Sequence, residues 1–329
     1  FDHRLSFTFD WYHKKTKDWL VQAPVLASYG TAAPYINGGD VVNKGVELSL
    51  GWRDNINDFN YSALINLSHN KNEVTRIANT EKIIHSGVRL GNVASEFARA
   101  EEGYPIGYFY GYQTDGLFQT PEDVQNYKNS EGVVIMPNAV PGDVRFVDRN
   151  DDGIIDDKDK TMIGKSNPDY NLGINLNMSY EGFDLTLVAS GVFGIDILRA
   201  YRMPDSPSQN YTSEILGRWT GPGTSNSIPR ISSGNHINRS YISDLYLEDG
   251  SYVRMSNVTL GYDFKKLWKS LPFEQVRFYI SAQNLFTITG YSGMDPEIGT
   301  STGENWISGV DFGFYPTPRT FMVGASIKF

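Results

Sequence analysis

Apolar and polar residues alternate along the last segment of the chain, from Arg319 to Phe329. Successive side chains of a β-strand point to opposite faces, so this segment predicts a strand with one apolar and one polar face. Such a strand suits the lipid-facing wall of a membrane β-barrel. The edge of a soluble sheet would explain the same alternation, and this segment alone does not separate the two. The apolar face comprises Phe321, Val323, Ala325, Ile327 and Phe329, and the other face comprises Thr320, Met322, Gly324, Ser326 and Lys328.

Two hairpins repeat this alternation in the body of the chain. The first joins residues 46–53 to residues 59–68 through the polar turn 54–58, and the second joins residues 170–180 to residues 183–193. One face of the second hairpin is apolar, whereas the other is almost entirely Asn, Gly and Ser. Because a soluble surface would rather carry Lys and Glu, these residues favour the crowded aqueous interior of a barrel. They are Asn171, Gly173, Asn175, Asn177 and Ser179.

Further strands are predicted around these hairpins, at residues 3–11, 94–100, 106–119, 251–264 and 274–288. The chain then has about ten strands joined alternately by short turns and long loops, provided that the weakly patterned segment 94–100 counts as a strand. With a periplasmic C-terminus, every short connection is periplasmic and every long loop extracellular. The sequence therefore predicts an all-β fold, a transmembrane antiparallel β-barrel. A short helix is expected just after Pro121 in one long loop.

The composition excludes several other classes of protein. Among the 329 residues, no stretch approaches the about 20 consecutive apolar residues that a membrane-spanning helix needs. A formal net charge of −9, without a stripe of Lys and Arg, argues against nucleic acid as a partner. The chain has no cysteine, which removes disulfides and thiolate sites. It opens within a strand pattern and shows no signal peptide, so we expect it to be part of a longer polypeptide.

An aromatic and basic cluster near the beginning of the chain is typical of a membrane interface. Aromatic rings and long cationic side chains both favour the level of the lipid headgroups. We therefore expect this cluster to lie in the interfacial girdle of a barrel that is surrounded by membrane lipid and lipopolysaccharide. Its members are Trp11, Tyr12, Lys14, Lys15, Lys17 and Trp19.

The segment 148–159, DRNDDGIIDDKD, has the spacing of an oxygen-rich calcium loop. Gly153 stands at the sharp turn, between side chains whose oxygens a hard cation prefers. The last ligand position holds Asp159 where Glu is usual, and this shorter side chain weakens Ca²⁺ binding or favours Mg²⁺. The segment predicts a structural Ca²⁺ or Mg²⁺ site that pins a long loop, with a solvated acidic turn as the alternative. The expected ligands are Asp148, Asn150, Asp152, Ile154 through its carbonyl, Asp156 and Asp159.

No catalytic motif accompanies this loop. The five histidines are not closely spaced, and the HExxH, GxSxG and P-loop patterns are absent. Two aromatic groups could stack on a sugar or peptide, although a barrel girdle or a loop core is the simpler interpretation. These groups are Tyr104, Tyr108, Phe109, Tyr110 and Tyr112, and Trp219, Trp306, Phe312, Phe314 and Tyr315. The inward residues Glu47, Arg53, Arg277 and Gln283 either line a channel or hydrogen-bond to one another or to a plug.

Several blocks, in order, resemble the SusC/RagA-type TonB-dependent transporters of the Bacteroidota outer membrane. They include GYPIGYFYGYQTDGLFQT (103–120) and TFMVGASIKF (320–329), together with residues 45–75, 142–170, 251–264 and 282–297. The resemblance implies a plugged barrel of roughly 22 strands, of which this chain would supply about ten C-terminal ones. It also implies uptake of an oligosaccharide or oligopeptide together with a SusD-like surface lipoprotein. TonB would act through the plug, which lies with the earlier strands in the N-terminal remainder of such a transporter.

Two rival interpretations come from other classes of protein. A complete ten-stranded outer-membrane barrel could act as a surface hydrolase through carboxylates on its external loops. The intact mass of the native polypeptide would distinguish it, because a complete barrel would begin near the first residue of this chain. A soluble calcium-binding adhesin with a β-sandwich is the second rival, and it would partition into the aqueous phase without detergent.

Overall fold

The computed structural model describes residues 2–22, 30, 35–87, 90, 96–202, 210–232, 236–299 and 304–329. Strands dominate this part of the chain, as the alternation predicts. They are β1 (Leu5–Gln22), β2 (Tyr35–Ile56), β3 (Phe59–Ile77), β4 (Ile83–His85), β5 (Ala98–Glu101), β6 (Tyr108–Gly111), β7 (Thr114–Leu117), β8 (Val144–Phe146), β9 (Thr161–Gly164), β10 (Tyr170–Tyr180), β11 (Phe183–Phe193), β12 (Asp196–Arg199), β13 (Leu247–Asp249), β14 (Tyr252–Asp263), β15 (Gln275–Thr289), β16 (Val310–Asp311) and β17 (Thr320–Lys328). The helices are α1 (Pro121–Asn126) and α2 (Ile237–Ser240), with 3-10 turns at Asp157–Asp159, Ala200–Arg202, Ser213–Gly217 and Asp244–Tyr246.

One sheet of eight long strands, here termed the wall, organises the molecule. Its order is β1-β2-β3-β10-β11-β14-β15-β17, and every neighbouring pair is antiparallel. Once the short strands are set aside, neighbours in the wall also follow one another along the chain. The wall is therefore an antiparallel meander, which confirms the predicted fold class.

The register places apolar side chains together on one face of the wall, the outer face. Leu172 lies opposite Leu67, and Ile280 lies between Leu260 and Val323. No second layer packs on these side chains within the described part of the chain, and Val323 is 82% exposed. An exposed apolar surface of this extent marks a face that lipid or another molecule covers. The most exposed side chains of this face include Phe7, Phe9, Trp11, Phe278, Ile280, Ile288, Phe321 and Val323.

The opposite, inner face is polar and hydrogen-bonded along its surface. Thr186 donates to Asn177 over 3.0 Å, and the hydroxyls of Thr259 and Ser281 lie 2.8 Å apart. Small amide and hydroxyl groups that bond to one another form a wettable surface, as the Asn-rich alternation predicts.

An ion pair crosses the inner face near the short turns. Arg277 donates to both carboxylate oxygens of Asp184, over 2.7 and 2.6 Å. Gly261 lies on the strand between them, where an added Cβ would stand 2.5 Å from Arg277 Nε and from Asp184 Oδ1. A glycine is therefore required between these partners. Of the two roles expected for Arg277, the structure shows hydrogen bonding within the wall.

Two segments that the pattern assigned to the wall lie elsewhere, so the wall has eight strands in the described residues where about ten were expected. Residues 106–119 form β6 and β7, which belong to separate small sheets. Of residues 94–100, the first two lie outside the described residues, and Ala98 begins β5, which pairs with β4 and β6. Tyr108 and Phe109 are buried in a loop core, and alternation alone cannot separate that environment from lipid.

The predicted alternation of short and long connections still holds, because residues 94–100 and 106–119 both lie in the single connection from β3 to β10. Short connections follow β2, β10 and β14, and long ones follow β3, β11 and β15. All long connections that the structure describes therefore lie at one end of the wall.

The expected helix is present as α1, which begins at Pro121. Asp123 N–H donates to the Thr120 hydroxyl over 3.2 Å, and the Asp123 carboxylate accepts from Thr120 N–H over 3.0 Å. This reciprocal capping box fixes where the helix starts. Neither α1 nor α2, nor any other helix in the described residues, is long and apolar enough to cross a membrane.

Candidate functional site: the cap over the wall

The long connections fold together into a packed body at one end of the wall. The described residues of 78–169, 194–251 and 290–319 are here termed the cap. All three connections contribute to one hydrophobic core, which contains Phe109, Leu198 and Val310. A second core joins Phe118 and Val144 to Tyr241, and a third joins Val74 at the end of β3 to Ala100. Shared cores of this kind give the cap a defined shape, unlike solvated loops.

Most of the aromatic group at 104–112 is buried in the cap, where Phe109 and Tyr112 belong to two of these cores, whereas Tyr104 is 38% exposed. Tyr108, Phe109, Tyr110 and Tyr112 are buried. Tyr112 stacks on Tyr241 with 4.5 Å between ring centroids, and burial raises its pKa well above the ordinary value. The interpretation of these residues as loop core is confirmed.

The second aromatic group divides between core and surface. Trp219 and Trp306 pack against the cores, whereas Tyr315 is 92% exposed. Phe314 lines a pocket of about 330 Å³ at the junction of two connections. Asp311 accepts hydrogen bonds from Gly313 N–H and Phe314 N–H, over 2.7 and 3.2 Å, and so fixes the turn that presents this ring. Phe314 and Tyr315 are therefore aromatic residues exposed on the surface of the cap.

A buried carboxylate joins two connections of the cap. The side chain of Asp143 is 1% exposed and accepts from Arg230 Nε over 2.6 Å. It also accepts from Asn238 Nδ2 and from Val140 N–H, each over 3.0 Å. A buried charge with several donors is stable only while its partners remain in place, so Asp143 couples the positions of both connections.

A buried guanidinium joins the wall to the third connection. The side chain of Arg254, on β14, is 5% exposed and donates to Asp295 over 2.5 Å and to Glu297 over 2.7 Å. Its Nε donates to the Thr287 hydroxyl over 3.0 Å. Arg254 thus holds the segment around Asp295 against the inner face.

A second buried arginine lies within the cap itself. Arg199 pairs with Glu248 and donates to the Ser292 hydroxyl over 3.0 Å. Nearby, the Tyr291 hydroxyl donates to Asp311 over 2.5 Å, and burial together with this carboxylate raises the pKa of Tyr291 strongly. Sequence reasoning found none of these charged residues, because isolated charges within loops follow no periodic pattern.

The acidic loop 148–159 folds around itself in the way its spacing predicts. Asp148 Oδ2 accepts from Gly153 N–H over 2.8 Å, and Asp152 Oδ1 accepts from Ile154 N–H over 3.1 Å. The other oxygen of Asp148 is buried, and the described residues provide it with no hydrogen-bond partner. A buried carboxylate oxygen without a donor fits a cation ligand, since its desolvation is otherwise uncompensated.

Other members of the loop are engaged with the protein. The Asp159 carboxylate is fully buried and accepts from Arg149 N–H and Asp156 N–H, each over 2.8 Å. Lys158 Nζ lies 3.5 Å from Asp152 and 3.7 Å from Asp156, so an ammonium already balances part of the negative charge. In the part of the chain that the structure describes, no three His, Cys, Asp or Glu side chains are grouped closely enough to hold a metal ion. Ion binding by this loop therefore stays a prediction.

The inner face carries the other residues that the sequence singled out. Arg53 lines a groove of about 930 Å³ at the short-turn end. Glu47 lines a smaller hollow of about 390 Å³. Gln283 lies opposite Thr320 in the register of the wall. The inner face thus combines small polar groups with both signs of charge, which suits a hydrated passage.

Comparison with known proteins places the chain in a family. Residues 1–193 match the family model described as TonB dependent receptor-like, beta-barrel. The chain therefore belongs to the TonB-dependent receptor β-barrel family, whose members are outer-membrane β-barrels of Gram-negative bacteria such as Bacteroides.

Individual relatives agree with this assignment. The chain is 32% identical to TonB-dependent receptor P3 of Formosa agariphila, over 100% of this chain and 33% of the relative. It is 29% identical to TonB-dependent receptor SusC of Bacteroides thetaiotaomicron, over 99% of this chain and 30% of that protein. The chain thus spans about a third of the length of these relatives.

A solved structure confirms the fold. The structure of the RagAB peptide transporter superimposes with a TM-score of 0.74 at 23% identity, covering 100% of this chain and 34% of that one. At this identity the likeness shows the fold alone.

Proposed function

We propose that this chain is part of an outer-membrane transporter that takes up a nutrient, such as an oligosaccharide or oligopeptide, in a TonB-dependent manner. The observation that carries the proposal is a wall with an exposed apolar outer face and a polar inner face beneath a packed cap. The match of nearly the whole chain to TonB-dependent receptors supports it. The chain would form the C-terminal part of the barrel, with the plug and earlier strands in the N-terminal remainder of the same transporter.

The orientation and the partners follow from the same proposal. The cap would be extracellular and the C-terminus periplasmic, so that cargo meets the cap first. A SusD-like lipoprotein would cover the cap, since the relatives include SusC and a RagAB complex. The exposed Tyr315 and the ring of Phe314 suit such a contact, because aromatic residues are enriched at interfaces and at sugar-binding or peptide-binding surfaces. TonB would pull on the plug and not on this chain.

Growth and uptake of a strain without the complete gene test the transport role. We expect slower growth on the glycan or peptide that serves as cargo, with full-length cargo or its surface-generated fragments left in the medium. The surface-hydrolase alternative predicts that cleavage of the cargo stops in this strain, whereas a transporter leaves cleavage intact. Unchanged growth on every glycan and peptide tried would contradict the proposal.

Contact between the outer face and lipid can be tested with a single arginine. Val323→Arg places a charge on the outer face of β17, where we expect a loss of about 2–4 kcal/mol of unfolding free energy in a bilayer. Met322→Arg is the matched control, because the neighbouring side chain points to the inner face and should cost much less. Urea unfolding of both variants of the complete protein in phospholipid vesicles gives the two values. Equal, small losses would indicate that water covers both faces.

We further propose that the loop 148–159 binds Ca²⁺, or Mg²⁺, as a structural ion. Asp148, Asn150, Asp152, Asp156 and Asp159, with the carbonyl of Ile154, would hold it. The support is the buried, unpartnered oxygen of Asp148 and the turn at Gly153, which has a φ of +83° that glycine adopts readily. The ion would hold this part of the cap in place and take no part in chemistry.

Calorimetry on two variants that differ by one position tests this ion site. Asp152→Asn removes the charge of an expected ligand, and Asp151→Asn makes the same change at a neighbour that instead accepts from Ser130 N–H over 2.9 Å. We expect Asp152→Asn to weaken Ca²⁺ binding about tenfold or more, and Asp151→Asn to leave it nearly unchanged. A wild-type protein that takes up neither Ca²⁺ nor Mg²⁺ would establish the solvated-turn alternative.

A further inference from the structure

A row of basic side chains, His13 and two lysines, crosses three wall strands on the outer face, toward the cap. In the register, His13 lies directly opposite Lys44, and Lys44 directly opposite Lys71. All three side chains are exposed, Lys71 to 73%. Like charges placed directly opposite in a sheet repel one another, so a protein keeps such a row at a cost unless an anion lies between the charges.

The row lies immediately beyond the apolar part of the outer face. The neighbouring row toward the short turns is Trp11, Val46, His69 and Tyr170, and the next is Phe9, Leu48, Leu67 and Leu172. Along the strands the surface therefore changes from aliphatic to aromatic to cationic within three rows. This sequence of layers matches acyl chains, the interface and the charged headgroups of a leaflet.

The carboxylates nearby leave the middle of the row without a partner. Lys15 is paired with Asp40 over 3.2 Å, and Asp40 also accepts from Arg76. Glu73 lies 3.9 Å from Lys71, at the edge of ion-pair distance. Lys44 has no carboxylate within ion-pair distance among the described residues. An anion between Lys44 and Lys71 would therefore complete the charge balance.

A hollow beside the row has the size for a headgroup. Beside the beginning of β10, residues of 69–72, 103–105 and 162–169 line a cavity of about 270 Å³, and Lys71 is one of them. Its lining includes His69, Asn167 and the ion pair of Lys165 with Asp169. Opposite residues on neighbouring strands stand roughly 5 Å apart at Cβ, so one phosphate can reach both lysines while sugar hydroxyls meet the polar groups of the cavity.

We propose that the outer face binds the phosphorylated headgroup of a membrane lipid at His13, Lys44 and Lys71, with the adjoining cavity receiving the sugar that carries the phosphate. The site faces the surrounding leaflet, away from the inner face and the route of the cargo. It rests on the membrane placement of the wall and is independent of the cargo. The matching ligand class is a phosphorylated glycolipid of the leaflet on the cap side.

Native mass spectrometry of the complete protein in nonionic detergent tests the site with diphosphorylated lipid A as the probe. Lys44→Gln combined with Lys71→Gln should weaken binding about 25-fold, since each lysine near a lipid surface contributes a factor of about five. The matched control is Lys14→Gln combined with Lys269→Gln. Lys14 belongs to the interfacial cluster expected from the sequence, but the register places it on the inner face of β1, and Lys269 lies in the short connection after β14, so this variant loses the same charge elsewhere.

Three further measurements test the proposed headgroup site. Dephosphorylated lipid A should bind wild type as weakly as the double variant binds the phosphorylated lipid. Equal affinity for both forms of the lipid, or an equal loss in the control, would overturn the proposal. Displacement of the lipid by millimolar inorganic phosphate would show a small-anion site and would overturn it as well. Circular dichroism of each variant checks folding, and normal cargo uptake by the double variant would separate this site from the proposed transport.

Discussion

Replacing Asp143 by alanine is expected to separate two connections of the cap while the wall stays folded. The change leaves Arg230 and Asn238 with unsatisfied donors in a buried site, where the loss of one partner costs about 3–5 kcal/mol. Arg230 also donates its backbone N–H to Gly142 O over 2.9 Å, so its displacement loosens the backbone beside Asp143. Amide hydrogen exchange should accelerate by about two to nearly four orders of magnitude in residues 118–147 and 218–246, as a loss of this size in local stability requires.

Asp115 provides the control for this experiment. It is paired with Arg145 over 2.6 Å, as Asp143 is paired with Arg230, but its side chain is 68% exposed. Because water screens such a pair, Asp115→Ala should cost less than about 1 kcal/mol and leave hydrogen exchange nearly unchanged. Similar effects of the two substitutions would show that the buried carboxylate does not couple the connections.

The fold was largely predictable because the wall repeats one simple pattern. In β10 and β17, every second side chain faces the same environment over the length of the strand, so period-two alternation identifies both strands and both faces. The turn between β10 and β11 follows from Glu181 and Gly182, which both adopt positive φ as a two-residue hairpin requires. Local sequence is sufficient wherever the environment is this regular.

Prediction failed where the chain packs on itself within the cap. The alternating aromatics of 106–119 predicted a wall strand, yet two short strands form there, and Phe109, Tyr112 and Phe118 lie in cores shared with distant segments. Phe109, for example, packs in a core with Leu198 and Val310. A hydrophobic core and a lipid phase impose the same preference for apolar side chains, and only long-range contacts distinguish them.

The candidate site was predictable only in part, for a related reason. Gly153 and the oxygen-bearing residues around it are adjacent in sequence, so their geometry could be derived locally. The partners of Asp143 lie roughly 90 residues away, and those of Arg254 roughly 40, so no local pattern indicates either pair. The row of basic side chains His13, Lys44 and Lys71 likewise emerges only from the register of three strands.

Replacing Arg254 by alanine is expected to free the third connection from the inner face. Asp295 and Glu297 would lose their common partner, and breaking a buried pair of this kind costs about 3 kcal/mol when one carboxylate is half-exposed. Hydrogen exchange in the connection from β15 to β17 should accelerate about a hundredfold, with much smaller changes elsewhere in the cap. Arg277→Ala is the control, because it breaks the Asp184 pair at the opposite end of the wall and should leave this connection protected.

Acid should weaken the same attachment in the wild-type protein. Although burial alone would raise the pKa of Asp295, the N–H groups of Glu297 and Thr317 and the Arg254 guanidinium hold it below the ordinary value. A carboxyl with a lowered pKa contributes stability that is present above pH of about 4 and is lost as the pH falls further. Below pH 4, amide hydrogen exchange in the connection from β15 to β17 of the wild-type protein should therefore rise toward the level seen in Arg254→Ala. Over the same pH range, exchange in the Arg254→Ala variant should change less. If wild type and variant responded equally to acid, the Arg254–Asp295 pair would not be what holds the connection to the wall.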